Sequence, residues 1–408
     1  MEKKLPEGWK LVELKDYAYF QEGPGIRKWQ FTNKGIKLLN VRNLVNGELD
    51  LNNTERYVSE EEAFGKYEHF LLNPDEIVMA SSGVTWGKTA IVRSEHLPLM
   101  LNTSTIRFRS LNRQILDQSY LLHYLNSELF SKQIERLITG SAQPNFGPSH
   151  LIQVELILPP LEVQKKIVSI LEKAEETKKL RAQADDLTQK LLQSVFLEMF
   201  GDPVENPKNW DEWDLENLLD EDPQNGLYKP STDYGEGIPI LRIDSFYDGK
   251  ISNIEKLKRL NCTPEEIQKY GLNIGEVLIN RVNSLEYLGK CGLVETLFEP
   301  TVFESNMMRL KLKISKVNPE YLTSFLCTQY IKNQILQKAK KAVNQASINQ
   351  SDVKSLKILI PPMELQHNYS HIIKQIEKTT ESQKQSSLEI NNLFDALMQK
   401  AFSGELVS

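Results

Sequence analysis

Cysteine is scarce: Cys262, Cys291 and Cys327 are the only three in 408 residues. They have no CxxC spacing, which excludes a disulfide-stapled fold and a zinc finger or ribbon. Long apolar runs are missing too, so no helix is expected to span a bilayer and no membrane partner is expected. The opening stretch, MEKKLPEGWK, has no apolar signal core, so a cytoplasmic protein is expected. Catalytic signatures are also absent. There is no GxxxxGK[ST], GxGxxG, HExxH or GxSxG. Pro159-Pro160 has Leu158 and Leu161 as neighbours, not the Asn/Asp and aromatic of an amino-methyltransferase motif. Pro74-Asp75-Glu76 starts like a nuclease motif, but no Lys follows at the right spacing. Of the six histidines, only His367 and His371 share a helical spacing, and no third ligand accompanies them, so no metal is expected. A chain that is not itself an enzyme is expected. Positive charge is not in excess either: the net charge is −6. This argues against a free-standing basic DNA-binding domain, yet allows a local basic face.

What is present is a globular composition, 40% hydrophobic and 25% charged, and an internal repeat. With an offset of 202, Leu158-Pro159-Pro160 falls on Ile360-Pro361-Pro362, Ile36–Val41 on Ile238–Ile243, Gln143 on Gln345 and Gly87-Lys88 on Gly289-Lys290. With a slip of two, Asn73–Val78 falls on Asn273–Leu278. Each copy opens with Pro-x-x-Trp, at Pro6–Trp9 and Pro207–Trp210. A period this long excludes a solenoid and indicates a duplicated domain, each copy followed by one long helix.

Residues 161–200 contain neither Pro nor Gly, and Gly201-Asp202-Pro203 stops the run. Apolar or small residues recur at Ile167, Ile170, Ala174, Thr177, Ala184, Leu191 and Val195. In the second copy they recur at Ile372, Ile376, Thr379, Ile390, Leu393 and Leu397. Spacings of three and four in the same phase predict an antiparallel coiled coil, impure at Arg181, Gln383 and Ser386. Each helix would be about 60 Å long. The expected organisation is a first domain over 1–157, a helix over 158–201, a second domain over 202–359 and a helix over 360–408. The fold class is α+β, two similar globular domains joined by the paired helices about a pseudo-two-fold.

Within each copy, IKLLNV, DEIVMAS, STIRFR and Val154–Leu158 read as strands, and Ser119–Ile138 as a helix. IPILRI, GEVLIN, NMMRLKL and LKILI repeat the strands, and Glu320–Lys340 repeats the helix. The segments between strands combine Gly, hydroxyl or amide groups, an aromatic and a cation. The first copy offers Arg27, Lys28 and Trp29, then Ser82, Thr85, Trp86 and Lys88, then Gln143 and Asn145. The second offers Tyr228 and Lys229, then Arg281, Asn283, Ser284 and Lys290, then Gln345 and Ser347. Such groups suit base edges and phosphates: Gln and Asn match adenine, Arg and Lys match guanine, and an aromatic can stack or wedge. A single loop of this kind is usually a solvated turn. Equivalent loops in two otherwise different copies make nucleic-acid binding the stronger reading.

The Pro-Pro-Leu-Glu-x-Gln run at Pro159–Gln164, its counterpart at Pro361–Gln366, the Leu5–Trp9 start and the Ala401–Leu406 ending together resemble the specificity subunit of type I restriction–modification systems. The resemblance covers the whole chain. It departs from the pattern at Met363 and His367, and at Gly201-Asp202-Pro203 in place of Ser403-Gly404-Glu405. The resemblance implies two target-recognition domains, each reading half of a bipartite, asymmetric DNA site. It implies that the helices set the spacer and dock two methyltransferase subunits, through Ile167, Leu171, Leu191, Ile372, Ile376, Leu393 and Leu397. S-adenosylmethionine would sit on those partners, and ATP and Mg on a restriction subunit, leaving no cofactor in this chain. The alternative is a non-catalytic dumbbell scaffold that binds partner helices without reading DNA.

Overall fold

The computed structural model describes all residues except 1–4, 54–55, 139–144, 248, 252–253, 344 and 408. The chain divides into two compact units, the first of them assembled from two separate stretches of sequence. One comprises residues 1–183 and 384–408, the other residues 184–383. Among the described residues, no helix is long and apolar enough to cross a membrane.

In the first unit, four antiparallel strands run in the order Ala18–Glu22, Thr105–Ser110, Ile77–Ala80, Thr89–Ile91. A smaller sheet places Ile36–Leu38 between Tyr57–Val58 and the parallel Leu99–Met100. Lys10–Glu13 pairs with Glu155–Leu158, so the last strand before the first long helix closes onto the first strand of the copy. The second unit repeats this plan. Gln224–Asn225, Met307–Leu310, Val277–Asn280 and Cys291–Leu293 follow the same order, and Gly249–Ile251 and Phe246–Tyr247 extend the sheet. Asp211–Asp214 pairs with Lys357–Ile360. The apolar faces of these strands bury Ile77, Ile106 and Phe108 in one unit and Val277, Ile279 and Met308 in the other. The two-residue slip is absorbed by the loop before Thr89–Ile91, which is two residues longer in the second copy.

The helical segments expected as Ser119–Ile138 and Glu320–Lys340 are each two helices. They are Gln118–Leu125 with Glu128–Leu137, and Pro319–Leu326 with Gln329–Lys338. The break has a local cause. Ser127 and Thr328 have extended backbones, and their hydroxyls cap the next helix by accepting from Phe130 N and Ile331 N. A hydroxyl residue that caps this way competes with helix continuation.

The duplicated Pro-Pro-x-Glu-x-Gln run now has a physical reason. Gln164 is fully buried; its Oε1 accepts from Asp117 N at 2.8 Å, and its Nε2 donates to Ile115 O and Pro159 O, each at 2.8 Å. Gln366 accepts from Asn318 N and donates to Pro361 O, again at 2.8 Å. Each glutamine thus ties the start of a long helix to the cap of a helix far away in sequence. Beside it, Tyr120 OH donates to Ile157 O and Tyr321 OH to Leu359 O, both at 2.8 Å. The Pro-x-x-Trp signal meets the far ends of the helices. Gly404 (φ +77°) lies against Pro6 and Gly201 (φ +81°) against Pro207; a Cβ at either position would come within 2.6 Å of the proline ring. A left-handed turn packed this tightly requires glycine. Gly201 therefore performs the task of Gly404, despite the different residues around it.

The long helices span Leu161–Phe200 and Met363–Ser403. Within each unit their halves run antiparallel. Lys178 Nζ lies 4.4 Å from the Phe394 ring in the first unit. In the second, Gln383 donates to Thr188 Oγ1 at 3.0 Å, and Phe200 meets Tyr369 at 5.1 Å between ring centroids. The seam is one residue out of step with part of the expected stripe. Its sheltered positions include Leu171, Lys178, Asp185, Leu192, Ile373, Thr380 and Phe394. The expected Thr177, Leu191, Thr379 and Leu393 lie outside it, Leu191 at 47% and Leu393 at 58% exposure. The reason is that the middle of the true seam is polar (Lys178, Arg181, Asp185, Thr188, Gln383), so a search for apolar spacing slides onto neighbouring residues. Ile167, Leu171 and Ile376 are buried inside their own units. The expectation that these three contact a partner is therefore corrected: they are core residues.

His123 gives the first unit a pH dependence. Its ring is 2% exposed, and burial lowers its pKa to about 4, partly offset by Asp117. The ring is therefore neutral at pH 7, and the 3.7 Å approach of Glu175 to Nδ1 is not an ion pair under those conditions. The unfolded chain takes up the proton first as pH falls. Stability should drop between roughly pH 6.5 and pH 4, by about 3 kcal/mol in total. Glu175, whose pKa burial raises, acts in the opposite direction and relieves part of that loss. Urea unfolding at about pH 7 and pH 5 should show this slope in the native chain and a flatter one in His123→Leu. Equal slopes would remove His123 as the cause.

Candidate nucleic-acid interface

The loops singled out in the sequence come together within each unit. In the first, Ser82 and Asn145 form an antiparallel bridge, and Phe146 N donates to Ser81 O at 3.0 Å. In the second, Val282–Asn283 pairs with Ala346–Ser347, and Ile348 N donates to Arg281 O at 2.9 Å. The same two segments, far apart in sequence, are thus stitched edge to edge twice.

The ends of the loops also match. Gly87 N donates to Ala80 O at 2.8 Å, and Gly289 N donates to Asn280 O at 3.0 Å. Both glycines have positive φ, so Lys88 and Lys290 emerge from the same kind of turn. Lys88 is exposed. Lys290 lies 4.2 Å from the centroid of the Tyr287 ring, which orients its ammonium. Thr85 is half-exposed and Ser284 is exposed on the loop surface.

Trp86 does not project as a wedge. It packs into the core with its ring edge-on to Phe146 at 6.0 Å, in the place that the buried Leu288 takes in the second unit. Its role is to anchor the loop. The projecting apolar tip is Val84, which is fully exposed and was missed in the sequence because valine carries no recognition chemistry. Val343, at 99% exposure, occupies a similar tip in the second unit, next to the exposed Lys340 and Lys341. The adjacent lysines were the one available signal.

Trp29 and Tyr228 are the protruding aromatics of these loops, 80% and 78% exposed. Trp29 stands with the exposed Arg27 and Lys28 on a short turn. Gln30 pins that turn from beneath by donating to Glu62 at 2.9 Å and Tyr67 at 3.1 Å. Lys229 is 2.9 Å from Glu266 and 3.6 Å from Asp233, and its hydrogen bond to Glu266 raises its pKa. It is a cation already committed to the helix Pro264–Tyr270 and to the nearby Asp233. Arg281 donates to Ser305 O at 3.1 Å. Lys332 Nζ donates to the carbonyls of Leu285, Glu286 and Leu288 at 3.1, 2.7 and 2.9 Å, which fixes the path of the second loop. Gln345 is exposed and Ser347 half-exposed, whereas Gln143 lies outside the described residues.

A sequence model of the type I restriction modification DNA specificity domain matches this chain twice, over residues 6–187 and 207–392. The chain belongs to that family. It is a type I specificity subunit with two target-recognition domains and the α+β fold of the family. The EcoKI specificity subunit of Escherichia coli (strain K12) is 26% identical over 441 residues, covering 99% of this chain and 90% of that protein. A putative MjaX specificity subunit of Methanocaldococcus jannaschii is 34% identical over 200 residues, 49% of this chain and 47% of that one. Among solved structures, a chain from work on complex assembly and conformational transition of the type I R-M system aligns over 99% of this chain and 100% of its own. Its TM-score is 0.64 at 19% identity. The type I S subunit from M. genitalium aligns over 98% of both chains with a TM-score of 0.55 at 15% identity. At these identities the two structures speak for the fold alone.

Proposed function

We propose that each unit of this specificity subunit reads one half of a bipartite, asymmetric DNA site. The observation that carries this reading is the paired-loop edge, built twice from the same residue types on otherwise different sequences. Arg27, Lys28 and Lys88 in the first unit and Arg281 and Lys290 in the second meet phosphates or guanine edges. Ser82, Thr85 and Asn145, with Gln143, offer hydroxyl and amide groups to bases, as do Asn283, Ser284, Gln345 and Ser347 in the second unit. Trp29 and Tyr228 stack or wedge against bases. Trp86 and Lys229 shape the loops that carry the readers. Because the halves differ in sequence, the two half-sites differ.

The division into recognition segments 1–157 and 202–359 and helical segments 158–201 and 360–408 belongs to the same proposal. The helices fix the spacer and dock two methyltransferase subunits. Leu191 and Leu393, exposed outside the seam, are the apolar docking residues, together with the half-buried Ile372 and Leu397. The chain itself catalyses nothing. S-adenosylmethionine and the flipped adenine belong to the methyltransferases, and ATP and Mg to a restriction subunit. Shared DNA contacts account for a recognition subunit with a net charge of −6.

An adenine-methylation map tests the reading. The chain is co-expressed with the methyltransferase encoded beside it in a host that lacks adenine methylation. One bipartite motif with a fixed spacer is expected, absent when this chain is omitted. A well-formed complex that methylates no new motif would favour a scaffold without DNA readout.

A further inference from the structure

The second recognition loop ends at a pair of thiols. Cys291 opens the strand Cys291–Leu293 directly after Lys290 and is 1% exposed. Cys327 caps the C-terminus of the helix Pro319–Leu326 and is exposed. The two sulfurs lie 3.4 Å apart, and Cys291 Sγ also approaches Thr323 O at 3.6 Å. The first unit shows what this position does. There the strand Thr89–Ile91 and the cap Asn126 are the equivalents, and Thr89 Oγ1 donates to Asn126 Oδ1 at 2.8 Å. Both copies therefore join the end of the recognition loop to the end of the same helix. One uses a hydrogen bond between groups that cannot be oxidised, and the other uses two thiols.

We propose that Cys291 and Cys327 are a reversible oxidation site, at which a hydroperoxide converts the thiol pair into a disulfide that ties the 281–290 loop to the helix Pro319–Leu326. The exposed Cys327 thiolate attacks the peroxide; its sulfur gains a hydroxyl and the O–O bond breaks. The other oxygen leaves as hydroxide or alkoxide and takes up the proton that the Cys327 thiol gave up, forming water from hydrogen peroxide or an alcohol from an organic hydroperoxide. The Cys291 sulfur then attacks the sulfenic sulfur. The S–S bond forms, the S–O bond breaks, and the hydroxyl leaves as water with the Cys291 proton. The pair loses two electrons and the peroxide gains them. The sulfurs must close by about 1.4 Å to reach a disulfide bond length, a small side-chain movement between residues already in contact. A dithiol reductant reverses the step, the usual fate of a cytosolic disulfide. Cys262 lies elsewhere, half-buried near Glu266 and Lys229, with its thiol pKa raised by burial.

The test uses the full chain, reduced, desalted and exposed to hydrogen peroxide. Titratable thiols should fall from the three in the sequence to one, with a mass loss of about 2 Da. Peptide mapping should join the Cys291 and Cys327 peptides within one monomer. Amide exchange across 281–290 should slow, and dithiothreitol should restore all three thiols. Cys262→Ser should behave like the native chain. Cys327→Ser, at an exposed position that tolerates serine, should abolish the cross-link. Three persistent thiols, oxygen adducts on Cys327 with Cys291 left free, or a cross-link between monomers would overturn the proposal. That the loop reads DNA rests on the proposed function. The thiol count and peptide map do not depend on DNA, so failure of either reading is distinguishable from failure of the other.

Discussion

Arg107→Met should destabilise the first unit by about 3–5 kcal/mol, and Arg309→Met should do the same in the second. Each arginine lies in a central strand, side chain 8% and 6% exposed, where a lone charge would be prohibitive. Arg107 is 3.3 Å from Glu76 and donates to Leu71 O at 2.7 Å, Gln21 Oε1 at 2.6 Å and His69 O at 2.7 Å. Arg309 is 3.7 Å from Glu276 and donates to Gly271 O at 2.6 Å and to Gln224 Oε1. Glu76 and Glu276 each accept from the backbone N of an asparagine, Asn73 and Asn273, at 3.0 and 2.9 Å. The cluster thus fastens the turn before one central strand to its neighbouring strand. Methionine keeps most of the volume but removes the buried cation beside each carboxylate and leaves several carbonyls without their donor. Glu76 retains Asn73 N and the more distant Arg109 at 3.9 Å, and Glu276 retains Asn273. The double variant Arg107→Met with Glu76→Gln should lose less than the single one, because no charge is stranded. Differential scanning calorimetry or urea unfolding checks both variants. A single variant within about 1 kcal/mol of the native chain would show that water or side-chain rearrangement satisfies the buried groups.

That cluster also marks the limit of what the sequence disclosed. Residues 107 and 309, at the offset of 202, were visible inside the strand-like runs STIRFR and NMMRLKL, where arginine looks like the polar half of an alternation. Nothing local says that either side chain is buried among carbonyls about 40 residues away. Local features were legible. The first long helix runs Leu161–Phe200 because no Pro or Gly interrupts it and Gly201 ends it. The strand cores at 77–80 and 277–279 are continuous apolar runs. The seam phase was only partly legible, because Lys178, Arg181 and Asp185 fill positions that a coiled coil usually gives to leucine. The candidate site was legible as segments but not as an edge. Ser82 and Asn145 lie 63 positions apart, and only the strand order brings them side by side. Trp86 was misjudged because an aromatic in a Gly-rich loop reads as exposed until Phe146 is placed against it.

Replacing residues 1–157 with the matching segment of another family member should exchange one half of the methylated motif and leave the other half and the spacer intact. The local structure of the second unit argues for this independence. The contacts that shape its loops, from Lys332, Ser305, Glu266 and Asp233, all come from residues 184–383. The graft has one physical constraint, because the first unit is not contiguous. Its core includes Ile167, Leu171, Ala401 and Phe402 from the two helices. The Phe402 ring sits 5.4 Å from Tyr120 and 5.8 Å from Tyr124. Gln164 must also find the backbone at residues 115 and 117. A donor segment that keeps Tyr120, Leu121 and Tyr124 should fold onto the resident helices. One that lacks these aromatics should lose several kcal/mol, because Phe402 then faces a cavity. Methylation at the parental motif should disappear and a hybrid motif replace it, read by sequencing modified bases. A hybrid that alters both half-sites would mean that readout is shared between the units. One that alters neither, in a soluble and assembled chain, would place recognition outside residues 1–157 and remove the paired loops from the interface.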